Sequence, residues 1–331
     1  MMTMEQLIAA FPNNITEALQ IASDFKFRPL KNEVRNVLIV GMGGSGIGGS
    51  LVSTWLENEL DIPVTISKDY TIPNFVDEHT LVIGSSYSGN TEETLSSIDE
   101  AISKNAQIIA ISSGGKMKEL GAENNFDVVI VPGGNPPRTA LAFSIVQLVN
   151  IFVQLGMASA DRLNEMEAGR SLIVSREQEI KKKAKEIAAF LHGKVGILYG
   201  SNEYEPVLVR ARQQFNENSK LLCWHHALPE MNHNELVGWG GGDDRFAVLF
   251  FQNDEVHRRT AKRIDITREK IEEITSNVMD LHSEGASLIE RSIYLINVVD
   301  WASLYLAEMK DVDPIDIAVI DYLKSTLAKF Q

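Results

Sequence analysis

The stretch that decides the fold of this chain is Leu81-Val-Ile-Gly-Ser-Ser-Tyr-Ser-Gly-Asn-Thr-Glu-Glu-Thr94. Its first residues are apolar and partly β-branched, which is typical of a buried strand. The polar residues that follow predict a turn, and the two glutamates before leucines and isoleucines at helical spacing predict a helix start. A helix N-terminus offers unpaired N–H groups and partial positive charge, and the turn adds neutral hydroxyl donors. A simple capped turn is the alternative interpretation, but four serine and threonine hydroxyls beside Gly89 favour a phosphate site.

A second turn of this kind follows an earlier predicted strand. Residues 37–40 are apolar and lead into Gly41-Met-Gly-Gly-Ser-Gly-Ile-Gly-Gly49. These glycines fit the dinucleotide pattern G-x-G-x-x-G, and Asp69 lies about where a ribose-binding acid falls. A dinucleotide site does not need the later hydroxyl-rich turn. We therefore favour one phosphate monoester held between the two turns, with Ser45 adding another hydroxyl.

Predicted strands alternate with predicted helices along the whole chain. In the first half the further strands are expected at residues 64–67, 81–83, 107–112 and 127–131. In the second half the pattern restarts, with strands expected at residues 195–200, 221–224 and 246–251. Such alternation predicts doubly wound parallel sheets, in which ligands bind beyond the carboxyl ends of the strands. The sequence therefore predicts an α/β protein with two flavodoxin-like domains related as an internal repeat, of which only the first keeps the phosphate turns.

The predicted domain limits follow from this pattern. They are an N-terminal helical segment (1–30), a phosphate-binding domain (31–156), a charged helical connector (157–192) and a second domain (193–331). Long helices are expected at residues 141–155, where the chain is very apolar, and at 288–309. A last helix runs through Lys324.

The composition restricts the class of partner. The chain has 331 residues, 44% of them hydrophobic, and a formal net charge of −14. An acidic chain without a broad basic surface is not expected to bind nucleic acid or an anionic membrane. The single cysteine, Cys223, fits a reducing compartment and a small buried side chain. Neither a signal peptide nor a membrane span is apparent in the sequence, so we expect a cytoplasmic protein.

Several polar residues outside the turns are candidate catalytic groups. Arg138 lies in a proline-rich loop after the fifth strand, where it either stabilises a developing oxyanion or pairs with carbonyls or a carboxylate. Glu217 lies at the end of a predicted helix, and His233 lies in a polar loop. The spacing of His225, His226 and His233 matches no metal-ligand pattern, so no metal site is expected.

Four stretches together resemble one family, the bifunctional phosphoglucose/phosphomannose isomerases of the sugar isomerase (SIS) superfamily. They are Gly43-Gly-Ser-Gly46, Ser86-Tyr-Ser-Gly-Asn-Thr-Glu-Glu-Thr94, Pro137-Arg138 and Asn232-His-Asn-Glu235. The resemblance covers nearly the whole chain, from about residue 30 to Lys324. It implies two SIS domains and a phosphate site for a sugar 6-phosphate, formed by Ser45, Ser86, Ser88 and Thr91 with Gly44 close to the ligand.

The resemblance also implies a reaction and the residues that perform it. Glucose 6-phosphate and mannose 6-phosphate would interconvert with fructose 6-phosphate through an enediolate, with neither cofactor nor metal. Glu217 would be the base, with His233 sixteen residues later, Lys324 near the C-terminus and Arg138 at the enediolate oxygens. Glu230 stays the competing base. In this family the histidine comes from the neighbouring subunit, so a homodimer is expected. A non-catalytic sugar-phosphate-binding regulator and an amino-sugar phosphate isomerase stay open as alternatives.

Overall fold

The structure, a computed structural model, describes residues 2–330 and contains two parallel β-sheets. The first sheet has the strand order β2-β1-β3-β4-β5. Its strands are β1 (Asn36–Val40), β2 (Val64–Ser67), β3 (Thr80–Ser85), β4 (Gln107–Ser112) and β5 (Asp127–Ile130). This is the flavodoxin-like order, with β1 and β3 side by side in the centre and buried.

The second sheet has the strand order β7-β6-β8-β9. Its strands are β6 (Val195–Ser201), β7 (Cys223–Leu228), β8 (Phe246–Gln252) and β9 (Val278–His282). The order repeats that of the first four strands of the first sheet, so the predicted α/β fold and internal repeat are confirmed. The strand predicted at residues 221–224 begins two residues before β7 and ends four residues too soon. No strand was predicted for β9, a short edge strand whose side chains are mostly half-buried.

The helices lie before, between and after the strands. They are α1 (Met4–Ala9), α2 (Phe11–Asp24), α3 (Gly43–Leu56), α4 (Glu92–Ser103), α5 (Gly115–Asn124), α6 (Leu141–Gln154), α7 (Asp161–Ser175), α8 (Glu177–Leu191), α9 (Glu205–Glu217), α10 (Glu235–Gly238), α11 (Arg258–Glu272), α12 (Leu288–Met309) and α13 (Ala318–Leu327). Short 3₁₀ turns occupy Pro137–Thr139, Asn202–Tyr204, Glu230–His233 and Trp239–Gly241. None of the helices within residues 2–330 combines the length and the apolar character that crossing a membrane requires.

The described chain forms two compact units. The N-terminal unit comprises Ala9–Ser175 and Glu284–Tyr294. The C-terminal unit comprises the described residues up to Ile8, Arg176–Ser283 and the residues from Leu295 onward. Each unit contains one sheet. The sequence-based domain limits at residues 31–156 and 193–331 stay predictions.

The glycine-rich stretch is helical over most of its length, whereas the sequence suggested a loop. Helix α3 already begins at Gly43, and its later glycines lie at close contacts. A Cβ added at Gly46 would lie 2.4 Å from the carbonyl oxygen of Gly41, and one at Gly48 would lie 2.4 Å from Ser144 Oγ. Glycine in a helix costs roughly 0.5–1 kcal/mol relative to alanine. This cost is offset because α3 can pack closely on the end of β1 and on α6.

The apolar helix α6 lies in the core of the N-terminal unit. Twelve of its residues, from Leu141 to Phe152, are buried. Gln147 Nε2 donates to the carbonyl of Ala18 at 2.7 Å, so α2 packs along it. The predicted N-terminal helical segment therefore contributes α2 to this core.

Candidate active site

The hydroxyl-rich turn lies between β3 and α4 in the N-terminal unit. Ser86 Oγ donates to Thr91 Oγ1 at 3.0 Å, and the backbone N–H of Asn90 donates to Ser88 Oγ at 3.2 Å. Thr91 occupies the N-cap position of α4, but its side chain does not cap the helix. Thr91 therefore leaves the first N–H groups of α4 without the usual N-cap hydrogen bond, at the helix start that follows the hydroxyl-rich turn.

The shape of this turn depends on Gly89. Its φ of +70° lies in the left-handed region, and an added Cβ would lie 1.8 Å from the carbonyl oxygen of Gly114. The N–H of Ser86 donates to the carbonyl of Ile111 at 3.0 Å, which ties the turn to β4. No other residue type fits this position without moving the backbone.

The two turns predicted to share a phosphate are in contact. Ser45 lies in the first turn of α3, and its Oγ accepts a hydrogen bond of 3.3 Å from the N–H of Tyr87. A Cβ at Gly44 would lie 3.1 Å from the carbonyl oxygen of Pro137, so the proline–arginine stretch lies against the glycine turn. Three distant stretches therefore meet at the carboxyl edge of the first sheet. We call Ser45, Ser86, Ser88 and Thr91 the hydroxyl cradle.

Two larger side chains border the hydroxyl cradle. Arg138 follows Pro137 and is only 4% exposed, which places a buried positive charge in the segment beside Gly44. Tyr87 is half-buried, and its hydroxyl accepts from the N–H of Asn135 at 3.3 Å. Burial raises the pKa of Tyr87, and the hydrogen bond from Asn135 opposes that effect only partly. The phenol is therefore neutral and can donate a hydrogen bond.

Glu217, the predicted base, is the last residue of α9 in the C-terminal unit. The end of this helix is held by polar contacts to α12, because Asn218 Nδ2 donates to Ser303 Oγ at 2.9 Å. Further back along α9, Arg210 pairs with Asp300 at 3.0 Å, with both side chains buried. Complete burial raises the pKa of Asp300, against the lowering effect of Arg210.

His233, the predicted second catalytic residue, is exposed in the turn Glu230–His233. Its side chain makes no hydrogen bond with any residue between 2 and 330. The turn itself is anchored, because Asn232 Nδ2 donates to the buried Thr267 Oγ1 at 2.7 Å. The competing base, Glu230, is also exposed and accepts from Asn234 Nδ2 at 3.1 Å.

Glu235 is a polar centre for which the sequence predicted no role. Its carboxylate accepts from the Tyr199 hydroxyl, from Trp224 Nε1 at 2.9 Å and from His226 Nδ1 at 2.6 Å. Burial raises the pKa of Glu235, but these three donors lower it by more, so the group stays ionised. The network fixes the segment after His233 on the face of the second sheet. The only signal for it in the sequence was the motif Asn-His-Asn-Glu itself.

Burial is the main influence on the pKa of both His225 and Cys223. Burial, with smaller effects of Arg212 and His226, lowers the pKa of His225 to about 4. Burial raises the pKa of the Cys223 thiol to about 12, which confirms the predicted small buried side chain. Between residues 2 and 330, no three His, Cys, Asp or Glu side chains are grouped in a way that could hold a metal ion.

Lys324 lies on α13, where every residue is exposed. Its ammonium group has no hydrogen bond or ion pair with the part of the chain that the structure describes. The structure therefore brings the hydroxyl cradle, Gly44 and the Arg138 segment together in the N-terminal unit. Glu217, His233 and Lys324 belong to the C-terminal unit.

Two sheets of this order, the first carrying a hydroxyl cradle at its carboxyl edge, define a protein of the sugar isomerase (SIS) class. Family models agree: "SIS domain" matches residues 32–136, and "Bacterial phospho-glucose isomerase C-terminal SIS domain" matches residues 180–327. A relative from Caldicellulosiruptor bescii, named bifunctional phosphoglucose/phosphomannose isomerase, is 38% identical and aligns over 99% of this chain and 100% of its own length. The chain belongs to the family of bifunctional phosphoglucose/phosphomannose isomerases, and the predicted resemblance is confirmed.

Two further similarities widen the comparison. A relative from Sulfolobus acidocaldarius, named D-glucosamine-6-phosphate 4-epimerase, is 32% identical over 68% of this chain and 71% of its own length. The solved structure of the C-terminal domain of glucosamine-fructose-6-phosphate aminotransferase from Francisella tularensis matches with a TM-score of 0.75. It covers 94% of this chain and 96% of that chain at 15% identity, which shows a common fold.

Proposed function

We propose that this protein interconverts fructose 6-phosphate with glucose 6-phosphate and mannose 6-phosphate. The observation that carries the proposal is the meeting of three distant sequence stretches around the hydroxyl cradle. The relative named bifunctional phosphoglucose/phosphomannose isomerase, which aligns over its full length, supports the same activity. Glucose and mannose 6-phosphates differ only at C2. Removing the C2 proton from either gives the same enediolate, so one site can serve both sugars.

In this proposal the hydroxyl cradle binds the 6-phosphate, and Gly44 leaves room for it. Hydroxyls and helix N–H groups suit a phosphate because each of its oxygens accepts several hydrogen bonds. A hydrogen bond to a charged group contributes about 1.5–3 kcal/mol net. Several such donors can therefore hold a dianion on a chain whose net charge is −14, without a broad basic surface. The buried Arg138 adds positive charge next to Gly44.

The reaction needs only proton movement. The Glu217 carboxylate would take the proton from C2 of the aldose and return it to C1, while a proton moves from O2 to O1. Arg138 would stabilise the enediolate oxygens, and His233 and Lys324 would move protons at the ring oxygen and at O1 during ring opening. Positioned acid–base catalysis of this kind typically contributes about 10²–10⁴-fold.

The exposed position of His233 supports a shared site. A catalytic histidine without an internal hydrogen bond is poorly oriented within its own subunit. The proposal is that His233 enters the site of a second copy, and that the working protein is a homodimer in the cytoplasm.

The base can be tested in a coupled assay that follows glucose 6-phosphate formed from fructose 6-phosphate. Glu217→Gln is expected to abolish turnover, whereas Glu230→Gln, the matched change at the competing carboxylate, should leave most of it. The opposite ranking would assign Glu230 as the base. Binding of fructose 6-phosphate by the wild-type protein without any turnover would indicate a sugar-phosphate-binding regulator instead.

Subunit mixing tests the origin of the histidine. Glu217→Gln and His233→Ala proteins are each expected to be inactive. If His233 acts across the interface, a randomly re-associated mixture regains about a quarter of wild-type activity, because half of the dimers contain one intact site. A mixture that stays inactive while forming mixed dimers would place the histidine in its own subunit.

An amino-sugar substrate is the second candidate. It is favoured by the 32% identity to the relative named D-glucosamine-6-phosphate 4-epimerase. Incubating the protein with glucosamine 6-phosphate and following the sugar protons by NMR would detect epimerisation at C4. We expect no change there while fructose 6-phosphate turns over.

A further inference from the structure

Lys220, three residues after Glu217, makes an unusual set of contacts. Its exposed ammonium group donates to three backbone carbonyls, those of Glu217 at 2.7 Å, Asp313 at 2.7 Å and Asp316 at 2.8 Å. An ammonium group has three N–H donors. All three of them are therefore directed at main-chain oxygens.

The backbone of Lys220 is unfavourable for a lysine. Its φ of +49° lies in the left-handed region, which glycine adopts freely and other residues adopt at a cost of about 1–2 kcal/mol. Such a residue just after a helix is commonly glycine. Since glycine would be less strained here, the presence of lysine indicates that its side chain is needed.

The three carbonyls belong to two separate parts of the C-terminal unit. One ends α9 at Glu217, and the other two belong to the segment that leads into α13. In that segment Asp316 Oδ1 accepts from the N–H of Ala318, the first residue of α13, at 2.8 Å. Lys310 reinforces the junction, because its Nζ donates to the carbonyl of Lys220 at 2.8 Å.

Helix α13 has little burial of its own to fix its position. Its apolar side chains are exposed, with Val319 at 83% and Tyr322 at 72%. A short helix without a buried face gains little stability from packing, so the contacts at its ends matter more. The contacts of Lys220 therefore have a large effect on where α13 begins.

We propose that Lys220 is a positioning residue, which fixes the end of α9 bearing Glu217 relative to the start of α13 bearing Lys324. The inference rests on the proposed function, in which both residues act on the same sugar. Two groups on separate segments must be held at a constant separation to act in one transition state. A displacement of about 1 Å can cost on the order of 10²-fold in rate.

Lys220→Gly separates this role from simple stability, because glycine keeps the left-handed backbone while it removes the side chain that carries the ammonium group. We expect kcat to fall about 10–100-fold, the KM for fructose 6-phosphate to change little, and the urea midpoint to stay close to wild type. Lys194→Met is the matched control. Lys194 Nζ also donates to one backbone carbonyl, that of Asp244, in the same unit at 2.6 Å, so both kinetic constants should be unchanged.

A double-mutant cycle shows whether Lys220 acts through α13. If it does, Lys220→Gly together with Lys324→Met should lose no more kcat than Lys324→Met alone. Additive losses, or an unchanged kcat in Lys220→Gly, would overturn the inference even though the wild-type protein is an active isomerase.

Hydrogen exchange tests the same contacts without activity. The amides of Ala318–Leu327 should exchange faster in Lys220→Gly than in wild type or Lys194→Met, because the helix start is released. Unchanged exchange would refute the positioning role whatever the substrate is. An inactive wild-type protein with faster exchange in the variant would contradict only the proposed function.

Discussion

Replacing Gly89 by alanine tests why the hydroxyl cradle has its shape. At φ +70° the new Cβ would lie 1.8 Å from the carbonyl oxygen of Gly114 and 2.6 Å from Ser112 Oγ. Gly156 is the matched control, because its φ is +71° and an added Cβ would meet nothing within 4 Å. The two substitutions share the backbone cost and differ in the steric clash.

The expected magnitude follows from these two terms. An alanine in the left-handed region costs about 1–2 kcal/mol of stability, and this cost applies to both variants. Forcing an atom into a packed site typically costs about 1–3 kcal/mol more, and this second cost applies only to Gly89→Ala. Gly89→Ala should therefore lower the free energy of unfolding by about 2–5 kcal/mol, and Gly156→Ala by about 1–2 kcal/mol.

Urea denaturation of the two variants measures this difference. The same proteins should differ in function, because moving the turn displaces Ser86 and Ser88 from the phosphate. The KM for fructose 6-phosphate should rise at least about tenfold in Gly89→Ala, because a change of that size corresponds to losing one hydrogen bond to the charged phosphate. It should be unchanged in Gly156→Ala.

Either of two results would refute the reasoning. Equal unfolding free energies for the two variants would mean that the turn relaxes without cost. A destabilised Gly89→Ala protein with an unchanged KM would mean that the turn does not bind the phosphate.

Three further predictions concern the C-terminal unit. Asp300→Asn removes the charge that pairs with buried Arg210 and should lower the free energy of unfolding by about 3–5 kcal/mol, measured by urea denaturation. Asp243→Asn is the control, because Asp243 belongs to an exposed ion pair, and it should change the urea midpoint little. Because the pKa of the Cys223 thiol is raised to about 12, iodoacetamide at about pH 8 should alkylate it only in denaturant; rapid alkylation of the native protein would contradict its burial. The pKa of His225 is lowered to about 4 in the folded state, so the unfolded chain takes up the proton first. The contribution of His225 to the free energy of unfolding is complete above about pH 6.5 and is lost as the pH falls towards 4. His225→Gln should therefore flatten the dependence of the urea midpoint on pH in this range.

The sequence predicted those features that depend on local pattern. Apolar runs predicted a strand at residues 37–40 and another at 107–112, and the helical pattern at 288–309 predicted α12, each at or within one residue of the observed limits. The hydroxyl-rich turn was recognisable because its polar residues lie between a buried strand and a helix start. Periodicity and turn chemistry depend on neighbouring residues, so they can be predicted without knowing what packs against them.

Other features depend on residues far apart in the chain. Helix α3 begins at Gly43 and lies against Ser144 at Gly48, and no local pattern distinguishes this packed glycine helix from a loop. The edge strand β9 lacks a buried apolar run, so it is defined by pairing with β8.

The polar contacts around the predicted catalytic residues also depend on residues far apart in the chain. Glu235 receives its donors from two different strands, and Lys220 reaches carbonyls more than ninety residues away. The sequence by itself determined that strands and helices alternate twice and that one turn suits a phosphate. Only the tertiary structure decided which polar groups meet, because hydrogen bonds between distant segments form only once the packed core has brought those segments together.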